Sequence, residues 1–215
     1  MRTLRFLGWI LAAAALAAAA YAAPMTGAQA LAALAQADAS TRVTAVERLG
    51  EIGTMRDADR VVERLRDSDP RVRESAVAAL WSIWGRSGDP AIDQLYARGV
   101  EQMQASQLAE ALATFDEIVR RKPAFAEGWN KRATNYYLLG QFEKSLADCD
   151  QVFERNPHHF GALSGAAQIH LQMGHARTAL EFFRRALEVH PGLDGATQVI
   201  PRLERFLRDA DRHRT

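Results

Sequence analysis

Residues 126–157 read AEGWNKRATNYYLLGQFEKSLADCDQVFERNP, and a similar pattern occurs once before and once after this stretch. Three prolines mark the repetition, because they close similar phrases at equal intervals along the chain. Pro123 ends IVRRKP, Pro157 ends VFERNP and Pro191 ends ALEVHP. A fixed period of this kind indicates a chain built from repeated supersecondary units. The resulting units are residues 92–125, 126–159 and 160–193.

Within each unit, residues of the same class recur at fixed distances before the closing proline. A glycine precedes the second helix in the last two units, a small residue follows it, and Phe or Cys comes one turn later. These positions are Gly140 and Gly174; Ala111, Ser145 and Ala179; and Phe115, Cys149 and Phe183. Together with Trp129, which starts the second unit's motif, the spacing resembles the tetratricopeptide repeat, with its W-x2-L-G-x2-Y, A-x3-F and final proline.

The local chemistry of each unit agrees with two packed helices of about 12–14 residues. Small residues stand where the paired helices must approach closely, and a glycine ahead of the second helix permits a turn that other side chains resist. The closing proline stops the second helix. Because no single unit can bury its apolar face, neighbouring units must stack. The sequence therefore predicts an all-α fold, a right-handed α-solenoid of helix pairs.

A weaker repeat lies upstream, in a predicted helical segment that covers residues 23–91. Ala45-Val46 recurs as Ala76-Val77, and DSDPRVRESAVAALWSIWG (67–85) resembles a HEAT-type repeat. Asp69 is the expected N-cap, with Pro70 at the first helical position, where its missing N–H costs nothing. We expect the helix that starts near Pro90 to end this array and to begin the next, which gives one continuous solenoid.

Residues 194–215 break the repeat phase and predict a C-terminal capping helix. Ile200, Leu203, Phe206 and Leu207 form an apolar stripe, which suits a helix that covers the open end of the last repeat. The alternative is a basic amphipathic segment for an acidic partner or a membrane surface. Acidic residues interleave the arginines of this segment, which favours the cap.

The first residues, 1–22, have the pattern of a signal peptide. Arg2 and Arg5 precede an uncharged apolar stretch, and Ala20-Tyr21-Ala22 supplies a small-x-small cleavage site. We therefore expect an exported protein, periplasmic or otherwise extracytoplasmic. The alternative is an inner-membrane anchor formed by residues 4–23, which are long enough to span a bilayer but consist mostly of weakly inserting alanine.

Composition and motifs favour a binding protein over an enzyme. The chain has 215 residues, 48% of them hydrophobic, and 27 basic against 26 acidic residues, so it lacks the basic excess typical of nucleic-acid binders. No nucleophile elbow, metal-binding HExxH, phosphate loop or dinucleotide motif occurs. The sequence therefore predicts no catalysis, no cofactor and no small-molecule substrate.

Several single residues also have simple structural interpretations. The histidines after residue 157 fall at linker, turn and core positions of the repeats and lack the spacing of metal ligands. Cys149 replaces a core phenylalanine of the repeat, which predicts a buried and unreactive thiol. Trp81 and Trp84 lie on one helical stripe and are expected in the core, whereas an exposed pair would indicate a contact patch.

The tetratricopeptide resemblance implies a concave groove lined by the first helix of each unit. The implied groove positions are Asp93, Tyr96, Val100 and Met103 in the first unit; Glu127, Asn130, Thr134 and Tyr137 in the second; and Gly161, Ser164, Gln168 and Leu171 in the third. Only two of them are charged, which suits an extended peptide held by amide and aromatic contacts. The family's clamp for acidic chaperone tails is missing, because Tyr96, Val100, Gly161 and Gly165 stand at its positions.

These features predict a scaffold or adaptor that binds a protein or extended peptide in the cell envelope. Membrane contact is expected only through an uncleaved signal. The alternative function is a membrane-anchored assembly factor or an accessory subunit of an envelope enzyme.

Overall fold

A computed structural model describes residues 23–213 of the chain, and within this range it contains eleven α-helices, one short 3-10 helix and no strand. The helices are α1 (Gly27–Ala33), α2 (Ala39–Ile52), α3 (Ala58–Val62), α4 (Pro70–Trp84), α5 (Pro90–Gln104), α6 (Leu108–Arg121), α7 (Ala126–Leu138), α8 (Phe142–Arg155), α9 (Phe160–Gln172), α10 (Ala176–Val189) and α11 (Asp194–Arg212). The 3-10 helix, Glu63–Arg66, follows α3 directly. The all-α solenoid of helix pairs is thus confirmed.

The three repeat units each fold as one helix pair. Helix α5 packs with α6, α7 with α8 and α9 with α10, and successive pairs stack through α6 with α7 and α8 with α9. In the second pair, the Ser145 hydroxyl donates to the Ala133 carbonyl at 2.7 Å, which requires the two helices to be very close. Trp129, at the packing position of that unit, is only half-buried. The guanidinium groups of Arg132 and Arg155 lie over its ring, 4.8 and 5.1 Å from the ring centre.

The turn inside each pair requires a residue with positive φ. Gly140 and Gly174 supply it in the second and third units, with φ of 71° and 78°. Ser106 occupies the equivalent place in the first unit and has a φ of 60°. L-residues other than glycine meet a steric penalty in this region, so the first turn is strained where the other two are relaxed.

Arg132 forms ion pairs within the second unit and with the first unit. The Arg132 guanidinium on α7 donates to both carboxylate oxygens of Asp148 on α8, at 2.6 and 2.7 Å, and to Asp116 on α6 at 2.8 Å. Burial raises the pKa of Asp148 even though Arg132 opposes that change. Burial acts to lower the pKa of Arg132, but the two carboxylates outweigh it and raise the pKa above its usual value. This arginine therefore ties α6 and α8 to the helix between them.

The N-terminal segment pairs α2 with α4, the two helices that carry the repeated Ala-Val sequence. A Cβ atom at Gly50 would lie 3.1 Å from the Ala79 Cα, so this glycine permits the close approach of the two helices. Asp69 is the N-cap of α4, accepts the backbone N–H of Arg71 at 2.9 Å and precedes Pro70, as the sequence predicts. In the same segment Arg42 forms a bidentate pair with Asp67, at 2.7 and 2.8 Å.

The N-terminal segment also folds against the third repeat unit, a contact that the sequence pattern does not predict. Trp84 of α4 shares one apolar cluster with Phe160 and Leu163 of α9 and with Ala186 and Val189 of α10. Polar contacts surround this cluster, since Arg66 donates to the Glu188 carbonyl and His158 lies 3.1 Å from Asp59. Helix α5, expected to belong to both arrays, packs mainly with α6.

The last helix, α11, lies against α10. Ala196 and Leu203 are buried with Leu180 and Phe183, whereas Phe206 of the predicted stripe is 61% exposed. Glu204 on α11 pairs with Arg184 on α10 at 2.7 Å. The helix therefore covers the apolar end of the repeat array.

No helix within residues 23–213 has both the length and the apolarity that a membrane span requires. The predicted signal peptide, residues 1–22, lies outside the described residues.

Candidate protein-binding groove

An open cleft lies between the first helices of the second and third units, α7 and α9. It encloses about 590 Å³ of space, part of it open to solvent. Its lining residues are Asn130, Ala133, Thr134, Tyr137, Leu138, Ser145, Cys149, Gly161, Ala162, Gly165, Gln168 and Ile169. None of these side chains is charged, and most of them are small or apolar.

Two glycines of the cleft lie one turn apart on α9 and have different surroundings. A Cβ atom at Gly165 would meet no atom within 4 Å, so this side of the cleft is empty. A Cβ atom at Gly161 would lie 2.5 Å from the Trp81 ring, so this glycine lets α4 pack directly against α9. On the opposite side Leu138 is 52% exposed and offers an apolar surface to a ligand.

The structure brings four of the predicted groove residues into this cleft: Asn130, Thr134, Tyr137 and Gln168. The glycine at the first groove position of the third unit, Gly161, also lines it. In the same unit Ser164 and Leu171 are half-buried and lie outside the lining, and the Ser164 hydroxyl is buried without a partner in the described part of the chain.

The predicted groove residues of the first unit do not line the cleft. Tyr96, Val100 and Met103 pack against a separate buried cluster that contains Phe115. Asp93 accepts a hydrogen bond from the Ser87 backbone at 2.8 Å and so holds the loop before α5.

Glu127, a predicted groove residue, is 1% exposed and forms the centre of a buried hydrogen-bond network. Its Oε1 accepts from the Tyr96 hydroxyl and the Lys131 ammonium, both at 3.2 Å. Its Oε2 accepts from the Asn130 amide at 3.0 Å and from His159 at 2.8 Å. The repeat pattern predicts both Glu127 and Asn130 on the open face, but these partners bury the first and leave the second 8% exposed.

The protonation states of this network follow from its geometry. The Nδ1 atom of His159 accepts the backbone N–H of Ala162 at 3.0 Å, so its Nε2 carries the proton that is donated to Glu127. Burial raises the pKa of Glu127, but hydrogen bonding by His159 and the charge of Lys131 outweigh it and hold the pKa below its usual value. Burial and the neighbouring Glu127 charge raise the pKa of Tyr96 well above its usual value.

Two tryptophans of α4 cover this network. The Trp84 ring stacks on the His159 imidazole with 4.5 Å between ring centres, and Trp81 meets the same imidazole edge-on at 5.4 Å. Trp84 is 2% exposed, as expected for core, whereas Trp81 is 37% exposed beside the cleft. His159 is 0% exposed and acts in the junction between the segments. The sequence assigns it only to a linker, because its partners come from distant parts of the chain.

The thiol at the bottom of the cleft is held in its neutral form. Cys149 is buried, as predicted, and burial together with the neighbouring Asp148 charge raises the pKa of its thiol to about 12. In the described residues no group of three or more His, Cys, Asp or Glu side chains is placed to hold a metal ion. The cleft offers a ligand a concave apolar surface and neutral hydrogen-bonding groups.

Comparison with known proteins supports the tetratricopeptide resemblance, although no family model matches the chain. A TPR repeat-containing protein of Rhizobium etli is 33% identical over 126 residues, which are 59% of this chain and 62% of that protein. The chain thus spans less than two thirds of this relative.

Solved structures share the fold. The first TPR of Spaghetti (RPAP3), bound to the HSP90 peptide SRMEEVD, covers 54% of this chain and 93% of its own, with a TM-score of 0.53 and 20% identity. The MamA protein covers 73% of this chain and 87% of its own, with a TM-score of 0.52 and 16% identity.

Proposed function

We propose that this chain is an exported scaffold of the cell envelope that binds an extended segment of a partner protein in the cleft between α7 and α9. The observation that carries the proposal is the uncharged cleft itself, which Gly165 leaves empty and which Tyr137 and Leu138 border. A concave, mostly apolar site with a few neutral polar groups is the usual form of a pocket that binds by contact. The structurally similar Spaghetti domain holds a peptide in a fold of the same kind.

The chemistry of the cleft favours a neutral peptide segment with small or apolar side chains. The peptide bound by the Spaghetti domain contains three acidic residues. Within the described part of this chain no lysine or arginine lines the cleft, and the nearby Lys131 is paired with Glu127. An acidic segment would lose hydration without gaining a charged partner.

Export is part of the proposal and rests on the pattern of residues 1–22. N-terminal sequencing of the protein from a cell fraction tests it, and a mature chain that begins at Ala23 or Pro24 is the expected result. An intact Met1 chain in the membrane fraction would favour the anchored alternative, an assembly factor or accessory subunit.

The binding proposal is tested with Gly165→Leu. The new side chain enters empty space and replaces a helical glycine, so we expect the fold to remain stable. Proteins captured by the wild-type chain from an envelope extract, and identified by mass spectrometry, should be lost with this variant. Tyr137→Ala should also weaken capture, because aromatic side chains dominate many interfaces.

Ala147→Leu is the matched control, since Ala147 is exposed on α8 and does not line the cleft. It adds the same bulk and should leave capture unchanged. Equal capture by the wild type and Gly165→Leu, or equal loss with both leucine variants, would contradict binding in the cleft. Asn130→Ala is unsuitable for this test, because it also removes a hydrogen bond from Glu127.

A further inference from the structure

A second cavity lies at the junction between the N-terminal segment and the repeats, away from the α7–α9 cleft. It encloses about 580 Å³, part of it open to solvent. Three basic side chains from three parts of the chain line it: Arg86 after α4, Lys122 after α6 and Arg155 at the end of α8. No carboxylate of the described residues lines it. We call it the Trp84 cavity, after the buried indole in its wall.

The basic groups of the Trp84 cavity lack a sufficient counter-charge. Among the described residues, neither Arg86 nor Lys122 forms an ion pair with a carboxylate. Arg86 is held in place by the carbonyls of Gly50 and Gly53, at 2.7 and 2.6 Å, which use only part of its five N–H donors. Arg155 has one carboxylate neighbour, Glu154 at 3.4 Å, and its guanidinium also donates to the Pro123 and Gln151 carbonyls. The three basic side chains therefore leave a net positive charge in a partly enclosed space.

The wall of the cavity also contains a buried indole ring. Trp84 is 2% exposed, and its indole N–H is buried without a hydrogen-bond partner in the described part of the chain. The start of α7 lines the same cavity, and Phe125, the residue at its N-cap, cannot accept a hydrogen bond through its side chain.

The remaining wall is apolar. Phe125, which is 6% exposed, and Met55, which is 43% exposed, face the cavity together with two alanines. A ligand that satisfies both parts of the wall must carry a negative group next to an apolar one. A carboxylate suits the planar donors of arginine, and the space admits about one amino-acid side chain.

We propose that the Trp84 cavity binds the C-terminal residue of a peptide, with its carboxylate near Arg86 and Lys122 and its apolar side chain against Phe125 and Met55. This site is separate from the α7–α9 cleft and does not depend on peptide binding there.

N-acetylphenylalanine is the probe, and the full chain is titrated by calorimetry and by NMR of the indole N–H resonances. We expect saturable binding in the millimolar range, typical of a ligand of this size, with a shift of the Trp84 indole resonance. N-acetylphenylalanine amide, which lacks the charge, should bind at least about tenfold more weakly. Inorganic phosphate, which lacks the apolar group, should also bind more weakly.

Lys122→Gln is the decisive variant, because the Lys122 ammonium makes no hydrogen bond or ion pair in the described residues and its loss should not affect folding. It should weaken binding of the probe about fivefold or more. Arg120→Gln, an equal charge change on α6 outside the cavity, should leave the affinity within about twofold. Gly165→Leu should also leave it unchanged, which separates this site from the cleft.

Equal binding of the acid and its amide would overturn the proposal, as would equal affinity in Lys122→Gln and the wild type or an unmoved Trp84 resonance. Equal affinity for phosphate and N-acetylphenylalanine would show that the ligand's apolar side chain does not contribute to binding, and would overturn that part of the proposal.

Discussion

At the scale of single residues, Ser106 shows how a departure from the repeat pattern costs stability. Its positive φ of 60° is one that Gly140 and Gly174 adopt in the other units without a side-chain penalty. We expect Ser106→Gly to raise the free energy of unfolding by about 0.5–1 kcal/mol, because relief of about 1–2 kcal/mol of strain exceeds the entropy cost of a glycine. Urea denaturation measures the change. Gly140→Ser should have the opposite effect, and a loss of stability in Ser106→Gly would contradict this account.

Glu127 shows how a residue of the expected groove serves the fold instead. All four of its partners donate hydrogen bonds, so it must remain an acceptor at both oxygens. Glu127→Gln keeps the shape but places an amide N–H₂ against donors, and we expect a loss of about 1–3 kcal/mol in unfolding free energy. Glu143→Gln, an exposed control on α8, should change stability by less than about 0.5 kcal/mol. Equal effects of the two changes would show that the buried network adds little.

At the scale of elements, the start of helix α4 can be predicted from the sequence. The Asp69-Pro70 pair predicts its start, and the structure places the Asp69 carboxylate on the Arg71 backbone N–H. Turns behave similarly, since glycines at a fixed period mark them. The burial of Cys149 follows from its place in the period. Such features are local, because the residues that cause them lie within a few positions of one another.

The cap of α4 also predicts a pH dependence. Hydrogen bonds from the side chain and backbone of Arg71 lower the pKa of Asp69 from 3.8 to about 2. Because the folded pKa lies below the unfolded value, this group adds stability above pH 3.8, and the contribution is lost as pH falls towards 2. Asp69→Asn, which keeps a capping oxygen, should therefore be less stable than the wild type at neutral pH. The difference in unfolding free energy between the two proteins should become smaller as the pH falls from 3.8 to about 2. Parallel acid-denaturation curves would contradict the prediction.

At the scale of the whole molecule, the contact of α4 with the third unit is what the sequence could not predict. Trp84 and His159 lie far apart in the chain, with two complete helix pairs between them, and no period connects them. The burial of the predicted groove residues could not be predicted for the same reason. The repeat period predicts which face of α7 holds Glu127, but it does not predict that another segment covers that face. Hydrophobic periodicity describes how neighbours stack, whereas the folding back of a segment depends on contacts between distant residues.

This long-range contact can be tested with two glycines one turn apart on α9. A Cβ atom at Gly161 would lie 2.5 Å from the Trp81 ring, so Gly161→Ala must displace that indole from its place over His159. A Cβ atom at Gly165 meets nothing within 4 Å, so Gly165→Ala should gain about 0.5–1 kcal/mol of helix stability. We expect Gly161→Ala to show no such increase in stability. It should also speed hydrogen exchange in α3 and α4, because the contact between α4 and the third unit holds these helices against the repeats.

The comparison of the two alanine variants isolates the contact, because both make the same chemical change in the same helix. Mass spectrometry of exchange in α3, α4 and the start of α9 should show faster exchange for Gly161→Ala alone. Helices α5 and α6, which lie outside this contact, should exchange alike in both variants and the wild type. If α4 exchanged equally in the two variants, Trp81 would contribute nothing to holding the N-terminal segment, and Trp84 with its apolar neighbours would hold it without help.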